Sequence, residues 1–134
     1  MLGRSRSLHI LLAEDNSINQ RLVIRLLEKL GHTVVVVNNG REAVEAHKAQ
    51  RFDLVLTDIQ MPEMGGIEAT AHIREQERFS GSHTPIIAVT ANGLNDDRKR
   101  CLAAGMDGYV TKPIQSAQLL NAIAEVSAAA FALS

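Results

Sequence analysis

Glu14, Asp15, Asp58, Thr90 and Lys112 are the residues of this chain whose types could build a reaction centre, provided that the fold gathers them. Three carboxylates at close quarters repel and raise one another's pKa unless a cation lies between them. An all-oxygen set with room for water suits Mg²⁺, which favours octahedral geometry and few protein ligands. That ion also bridges phosphate oxygens and offsets charge in phosphoryl transfer. The Lys112 ammonium would meet one phosphoryl oxygen and the Thr90 hydroxyl another. A carboxylate attacking phosphorus forms an acyl phosphate. Asp58 is the best-placed nucleophile, because the adjacent Glu14–Asp15 pair is better suited to holding metal. Taken singly, each residue has a plainer explanation. The acidic pair could cap a helix, Asp58 could make an Asx-type turn, Thr90 could end a strand, and Lys112 could be a solvated charge. Convergence decides between the two accounts, and it depends on the elements that carry these residues.

Those elements alternate. Apolar runs at Leu8–Ala13, Thr33–Val37, Asp53–Thr57, Pro85–Val89 and Gly108–Thr111 read as strands, the second rich in β-branched valines. They show little polar alternation, the pattern of strands covered on both faces. Helical patterns lie between them. Ile18, Leu22, Val23, Leu26, Leu27 and Leu30 recur at three- and four-residue spacing, and Gly31 follows where a left-handed C-terminal cap is wanted. Gly40–Gln50, Gly66–Glu77, Leu94–Ala104 and Ser116–Val126 complete the set, the last presenting Leu119, Leu120, Ile123 and Val126. Five βα units imply a parallel sheet, and right-handed crossovers running both ways from the first strand make it doubly wound. Ligands of such folds bind beyond the carboxyl ends of the strands. Glu14 and Asp15 follow strand one, Asp58 ends strand three, Thr90 strand four, and Lys112 with Pro113 strand five. Jointly at one edge, they exceed what turn chemistry explains.

Composition narrows the remaining options. A chain of 134 residues is about one domain. Fourteen basic residues against fifteen acidic ones leave a net charge of -1, and no basic stripe marks a nucleic-acid footprint. Cys101 stands alone, which excludes an internal disulfide and fits a reducing, cytoplasmic setting; it reads as a packing residue. No apolar run approaches the roughly 18 residues of a membrane span, so the domain itself is expected to make no direct membrane contact. Residues 1–7 read as a linker or cloning scar, 8–127 as the domain and 128–134 as a C-terminal tail. His9, His32, His47, His72 and His83 fall at no metal-ligand spacing, so surface or packing roles are expected. A G-x-G-x-x-G dinucleotide signature is missing after strand one.

The motifs LLAEDN around Glu14 and Asp15, LVLTDIQMPEMGG around Asp58, IIAVTAN around Thr90 and GMDGYVTKPI around Lys112 resemble those of the response-regulator receiver family. The resemblance runs from about Leu8 to Val126, with all five positions in order. It implies a flavodoxin-like α/β sheet of strand order 2-1-3-4-5 with five helices; the single-domain chemotaxis receiver is a standard example of that order. It further implies Asp58 as phosphoacceptor and a Mg²⁺ ion held by Glu14, Asp15, Asp58 and the backbone carbonyl of Gln60. Lys112 would pair with Asp58 before modification and with the phosphoryl group after it. Thr90 would move toward that group, and Tyr109 would be the switch aromatic whose ring turns inward, changing the surface of helix four, strand five and helix five. The plainer account of Tyr109, a strand residue with its hydroxyl at the surface, stands beside this one. Pro113 is expected to follow a cis bond. Gln60 and Asn92, two residues after Asp58 and Thr90, are expected to tune phosphoryl lifetime. Gly65 and Gly66 depart from the family's usual Asp-Gly, which removes a helix-capping carboxylate but leaves the acceptor site.

The phrases EDNSINQ, DIQMPEMGG and AVTANGLNDDRKRCLAAGMDGYVTKPI are similar to receivers of hybrid sensor histidine kinases, which usually form the C-terminal segment of a larger membrane kinase. The expected partner is a histidine kinase or a histidine phosphotransfer domain, with a weak homodimer left open. A stand-alone response regulator is the alternative. No helix-turn-helix supports direct transcriptional output. Haloacid-dehalogenase-like phosphatases also combine Asp, Thr and Lys on a doubly wound sheet. They need D-x-D after strand one, where this chain has Glu14-Asp15-Asn16. The domain alone is expected to accept a phosphoryl group once per cycle rather than act as a turnover enzyme.

Overall fold

The computed structural model describes residues 7–91 and 95–133. Expectations that fall on residues 1–6, Asn92, Leu94 and Ser134 lie outside the described residues. The chain forms β1 (His9–Ala13), α1 (Ser17–Lys29), β2 (Thr33–Val37), α2 (Gly40–Ala49), β3 (Leu54–Asp58), α3 (Gly66–Ser80), β4 (Ile86–Thr90), α4 (Asn95–Ala104), β5 (Gly108–Thr111) and α5 (Ser116–Leu133). The sheet is fully parallel in the order β2-β1-β3-β4-β5, which is the doubly wound, flavodoxin-like arrangement expected.

Side-chain parity along each strand feeds two cores. Ile10, Leu12, Leu54, Leu56, Ile87 and Val89 face α1 and α5, meeting Val23, Leu27, Leu119 and Ile123. Leu11, Val55, Ile86 and Ala88 face the other way, toward Ala43, Ala69, Ile73 and Cys101 on α2, α3 and α4. Each large aliphatic side chain buried this way contributes about 1.5–3 kcal/mol. Cys101 is buried, in keeping with a packing role.

Helix ends follow local chemistry. Gly31 at φ 92, Gly81 at φ 78 and Gly105 at φ 101 close α1, α3 and α4 in the left-handed region, where a Cβ would be strained. Because Gly81 supplies that stop, α3 continues past Glu77 to Ser80. Helix α5 likewise runs on past Val126 to Leu133.

Strand β2 is covered on both faces as expected, Val34 and Val36 packing against one core and Val35 and Val37 against the other; the valines stay half-buried and Thr33 exposed, because β2 is an edge strand with a neighbour on one side only. Two expectations about burial are corrected. On α1 the core contacts come from Val23 and Leu27, with Ile24 and Leu26 packed against them, whereas Ile18 is 75% and Leu22 43% exposed. Leu120 on α5 is likewise exposed, leaving Leu119, Ile123 and Val126 to pack.

Candidate functional site

Four strand ends meet in one open cleft of about 570 Å³, whose walls include Glu14, Asp15, Asp58, Gln60, Thr90 and Lys112. Register puts them there. Asp58 pairs with Val89 and Thr90 with Thr111, and the Lys112 amide donates to the Thr90 carbonyl at 2.8 Å. Asp58, Thr90 and Lys112 therefore sit on successive strand ends. The Lys112–Pro113 bond is cis, as expected.

The acidic pair is relieved of the capping role it could have filled. Asn16 is the N-cap of α1, its Oδ1 accepting from the amides of Ile18 and Asn19 at 2.9 and 3.0 Å. Glu14 is 2% exposed, and its Oε2 accepts from the Asn16 amide at 3.1 Å. Among the described residues, Glu14, Asp15 and Asp58 form a group whose ligand oxygens lie within 4.8 Å of one another. Lys112 enters from β5, placing Nζ 2.6 Å from Asp58 Oδ2 and 3.6 Å from Glu14 Oε1. The other Asp58 oxygen accepts from the Gln60 amide at 3.2 Å. Gly65 caps α3 without any side-chain bond, as the missing carboxylate implied. A Cβ on Gly66 would run into the Asp58 carbonyl, so this glycine lets α3 start against the end of β3.

Electrostatics follow from that crowding. Burial raises the pKa of Glu14 above its ordinary 4.5; the Asp58 and Asp15 charges push the same way, and the Asn16 amide and Lys112 oppose them. Burial acts to lower Lys112, but the Asp58 hydrogen bond and the Asp58 and Glu14 charges prevail and hold it above 10.5. Three carboxylates gather beside the Lys112 ammonium, and Arg100 lines the same cleft. All-oxygen donors with an exposed Asp15 open to water match the preferences of Mg²⁺.

Tyr109 is half-buried on β5, with the Arg98 guanidinium 5.7 Å from its ring centroid. The histidines are accounted for by packing or hydrogen bonding. His9 stacks on Phe52, buried His32 accepts from the Leu8 amide, and His47 and His83 join a polar cluster far from the cleft. His72 sits at the surface. Sequence reasoning missed Gln20, whose Nε2 donates to the Glu14 carbonyl at 2.5 Å and to Asn38 Oδ1 at 2.9 Å. A glutamine in the second turn of a helix carries no signal of that reach.

Known proteins share this architecture. A sequence model of the response regulator receiver domain matches residues 10–124. Hybrid signal transduction histidine kinase I of Dictyostelium discoideum is 43% identical over 119 residues, covering 85% of this chain and 7% of that protein. The chain thus spans a small fraction of such a relative's length. The receiver domain of sensor histidine kinase PA1611 from Pseudomonas aeruginosa, with a magnesium ion coordinated in its active-site cleft, superposes with a TM-score of 0.82 at 41% identity, covering 92% of this chain and 99% of that one. The receiver domain of Saccharomyces cerevisiae Ssk1, crystallised with the histidine phosphotransfer protein Ypd1, has a TM-score of 0.84 at 32% identity, covering 91% and 90%.

Proposed function

The chain belongs to the response regulator receiver family of two-component signalling, and from that premise we propose that Asp58 is its phosphoacceptor in a Mg²⁺-dependent phosphorelay step. The observation that carries this is the buried Asp58 carboxylate, held 2.6 Å from Lys112 inside a three-carboxylate cluster. An Asp58 carboxylate oxygen forms a bond to phosphorus as the donor's bond to that phosphorus breaks. The bonding pair leaves with the donor, whether a phosphohistidine nitrogen or the carboxylate of a small acyl phosphate. Glu14, Asp15, Asp58 and the Gln60 backbone carbonyl would hold Mg²⁺, which when bound would offset the charge on the transferring group. Lys112 remains protonated throughout the neutral range and turns from the Asp58 carboxylate to a phosphoryl oxygen. The Thr90 hydroxyl moves to another, and the half-buried Tyr109 ring turns inward, altering the α4–β5–α5 surface.

Activation is supplied by the donor, so the domain accepts one phosphoryl group per cycle and is not a turnover enzyme. The likeness to hybrid kinases supports a parent hybrid sensor histidine kinase. Its partner would be a histidine phosphotransfer domain, a reading supported by the Ypd1 complex of its structural neighbour and by exposed Ile18 and Leu22 at the start of α1. Among the described residues no helix is long and apolar enough to cross a membrane; we place the domain in the cytoplasm with its phosphodonors. Acetyl phosphate with Mg²⁺ should yield one hydroxylamine-labile phosphoryl group by intact-mass analysis. It should be lost with chelator and in Asp58→Asn. Modification of that variant at the parent rate would overturn the assignment.

A further inference from the structure

The end of β2 is the one strand end to which the sequence assigned no chemistry, yet it grips the loop that carries the acceptor site. Asn39, 8% exposed, caps α2 by accepting from the Glu42 amide at 2.8 Å. Its Nδ2 points the other way and donates to Glu63 Oε2 at 3.0 Å. The Gly40 amide donates to the Met64 carbonyl at 2.8 Å, an approach so close that a Cβ on Gly40 would collide with that oxygen. Glu63 is the one non-glycine residue with positive φ among those described, at 66°. A glutamate is disfavoured there and needs surroundings that hold it. Glu63 lies five positions after Asp58 and three after Gln60.

Resting on the phosphoacceptor reading above, we infer that Asn39 and Glu63 are positioning residues: their hydrogen bond holds the 59–65 loop so that Gln60 and Asp58 present oxygens in a metal-ready arrangement. The pair touches neither metal nor phosphoryl group. It acts by keeping a left-handed turn, which glycine would leave free to relax, in a single conformation. Asn39 suits the task because an amide offers an acceptor to the helix and a donor to the carboxylate at once. Preorganisation of this kind raises affinity by lowering the ordering cost of binding.

Mg²⁺ titration of the isolated domain by calorimetry, paired with thermal melts without metal, tests the inference. Asn39→Asp keeps the α2 cap and turns the second contact repulsive; Glu63→Gly removes the contact while easing the backbone. Both should weaken Mg²⁺ binding about 3- to 10-fold, with Glu63→Gly melting no lower than the parent. Glu63→Gln, whose amide oxygen still accepts from Asn39, should bind Mg²⁺ within about 2-fold of the parent. A merely structural role would tie affinity to melting temperature and is excluded by that separation. Parent-like Mg²⁺ affinity in both Asn39→Asp and Glu63→Gly would overturn the positioning role while leaving Asp58 as acceptor. Failure of the parent chain to bind Mg²⁺ would remove both readings together.

Discussion

The two ends of the sheet each gather buried charge, and they treat it in opposite ways. At the amino end Arg74 donates to Glu77 at 2.6 Å, to Asp107 at 2.8 Å, and to the carbonyls of Thr84 and Gly105, each at 2.9 Å. Glu77 also accepts from the Thr84 amide at 2.6 Å, and Asp107 from the Ile86 amide and from His83, each at 2.8 Å. Both oxygens of both carboxylates are occupied. At the carboxyl end three carboxylates crowd around the Lys112 ammonium, and the Glu14 pKa rises, through burial first and through the Asp58 and Asp15 charges after it. Charge that is fully partnered ties α3 to the α4–β5 turn; the carboxylates of the cleft instead lie together with their oxygens within 4.8 Å of one another. Burial alone distinguishes neither, since Glu77 and Asp58 are both 5% exposed.

Substitutions at the two ends should therefore separate function from stability. Asp58→Asn should abolish phosphorylation, a loss of at least about 100-fold, while the domain melts as high as the parent or higher. A variant that unfolds would erase the contrast. Arg74→Ala should cost about 3–5 kcal/mol in urea unfolding, because it strands the buried Glu77 carboxylate. Its folded fraction should still bind Mg²⁺ like the parent, and a matching loss of affinity would show the two ends to be coupled. Lys112→Ala should leave phosphorylation possible but uncouple it, so that binding of a phosphotransfer partner no longer depends on phosphate. Retained dependence would count against the switch.

The smallest effect is a matter of pH. The folded-state pKa of Glu14 lies above 4.5, so its protonated form favours the fold. That contribution is fully present below 4.5 and is lost as pH climbs through the raised value. Glu14→Gln should thus raise stability near pH 7 slightly and flatten this part of the profile. Lys112 has the same sign in a higher window: its contribution holds through neutrality and is lost only as pH rises beyond 10.5. Identical urea midpoints for Glu14→Gln and parent from pH 4 to pH 8 would show that burying the Glu14 charge costs the fold nothing.

Much of this was legible beforehand. Valine-rich and apolar runs marked the strands to within a residue at either end, and Gly31 marked the stop of α1. Asp58, the acidic pair, Thr90 and Lys112 were visible because each directly ends or follows a strand. Helix faces were less legible. Ile18, Leu22 and Leu120 share the periodicity of core residues, yet they lie where no strand or helix covers them. The capping question for Glu14 and Asp15 was open until Asn16 proved to hold the cap.

By itself the sequence determined the order of the βα units and the residue types at the strand ends, because periodicity, glycine caps and strand termini are local properties. The tertiary structure alone decided that β2 is an edge strand, that Arg74 reaches Asp107 across 33 positions and that Asn39 reaches Glu63 across 24. Such partners carry no periodic signal: packing sets their separation in space, and a chain pattern records only separation along the backbone.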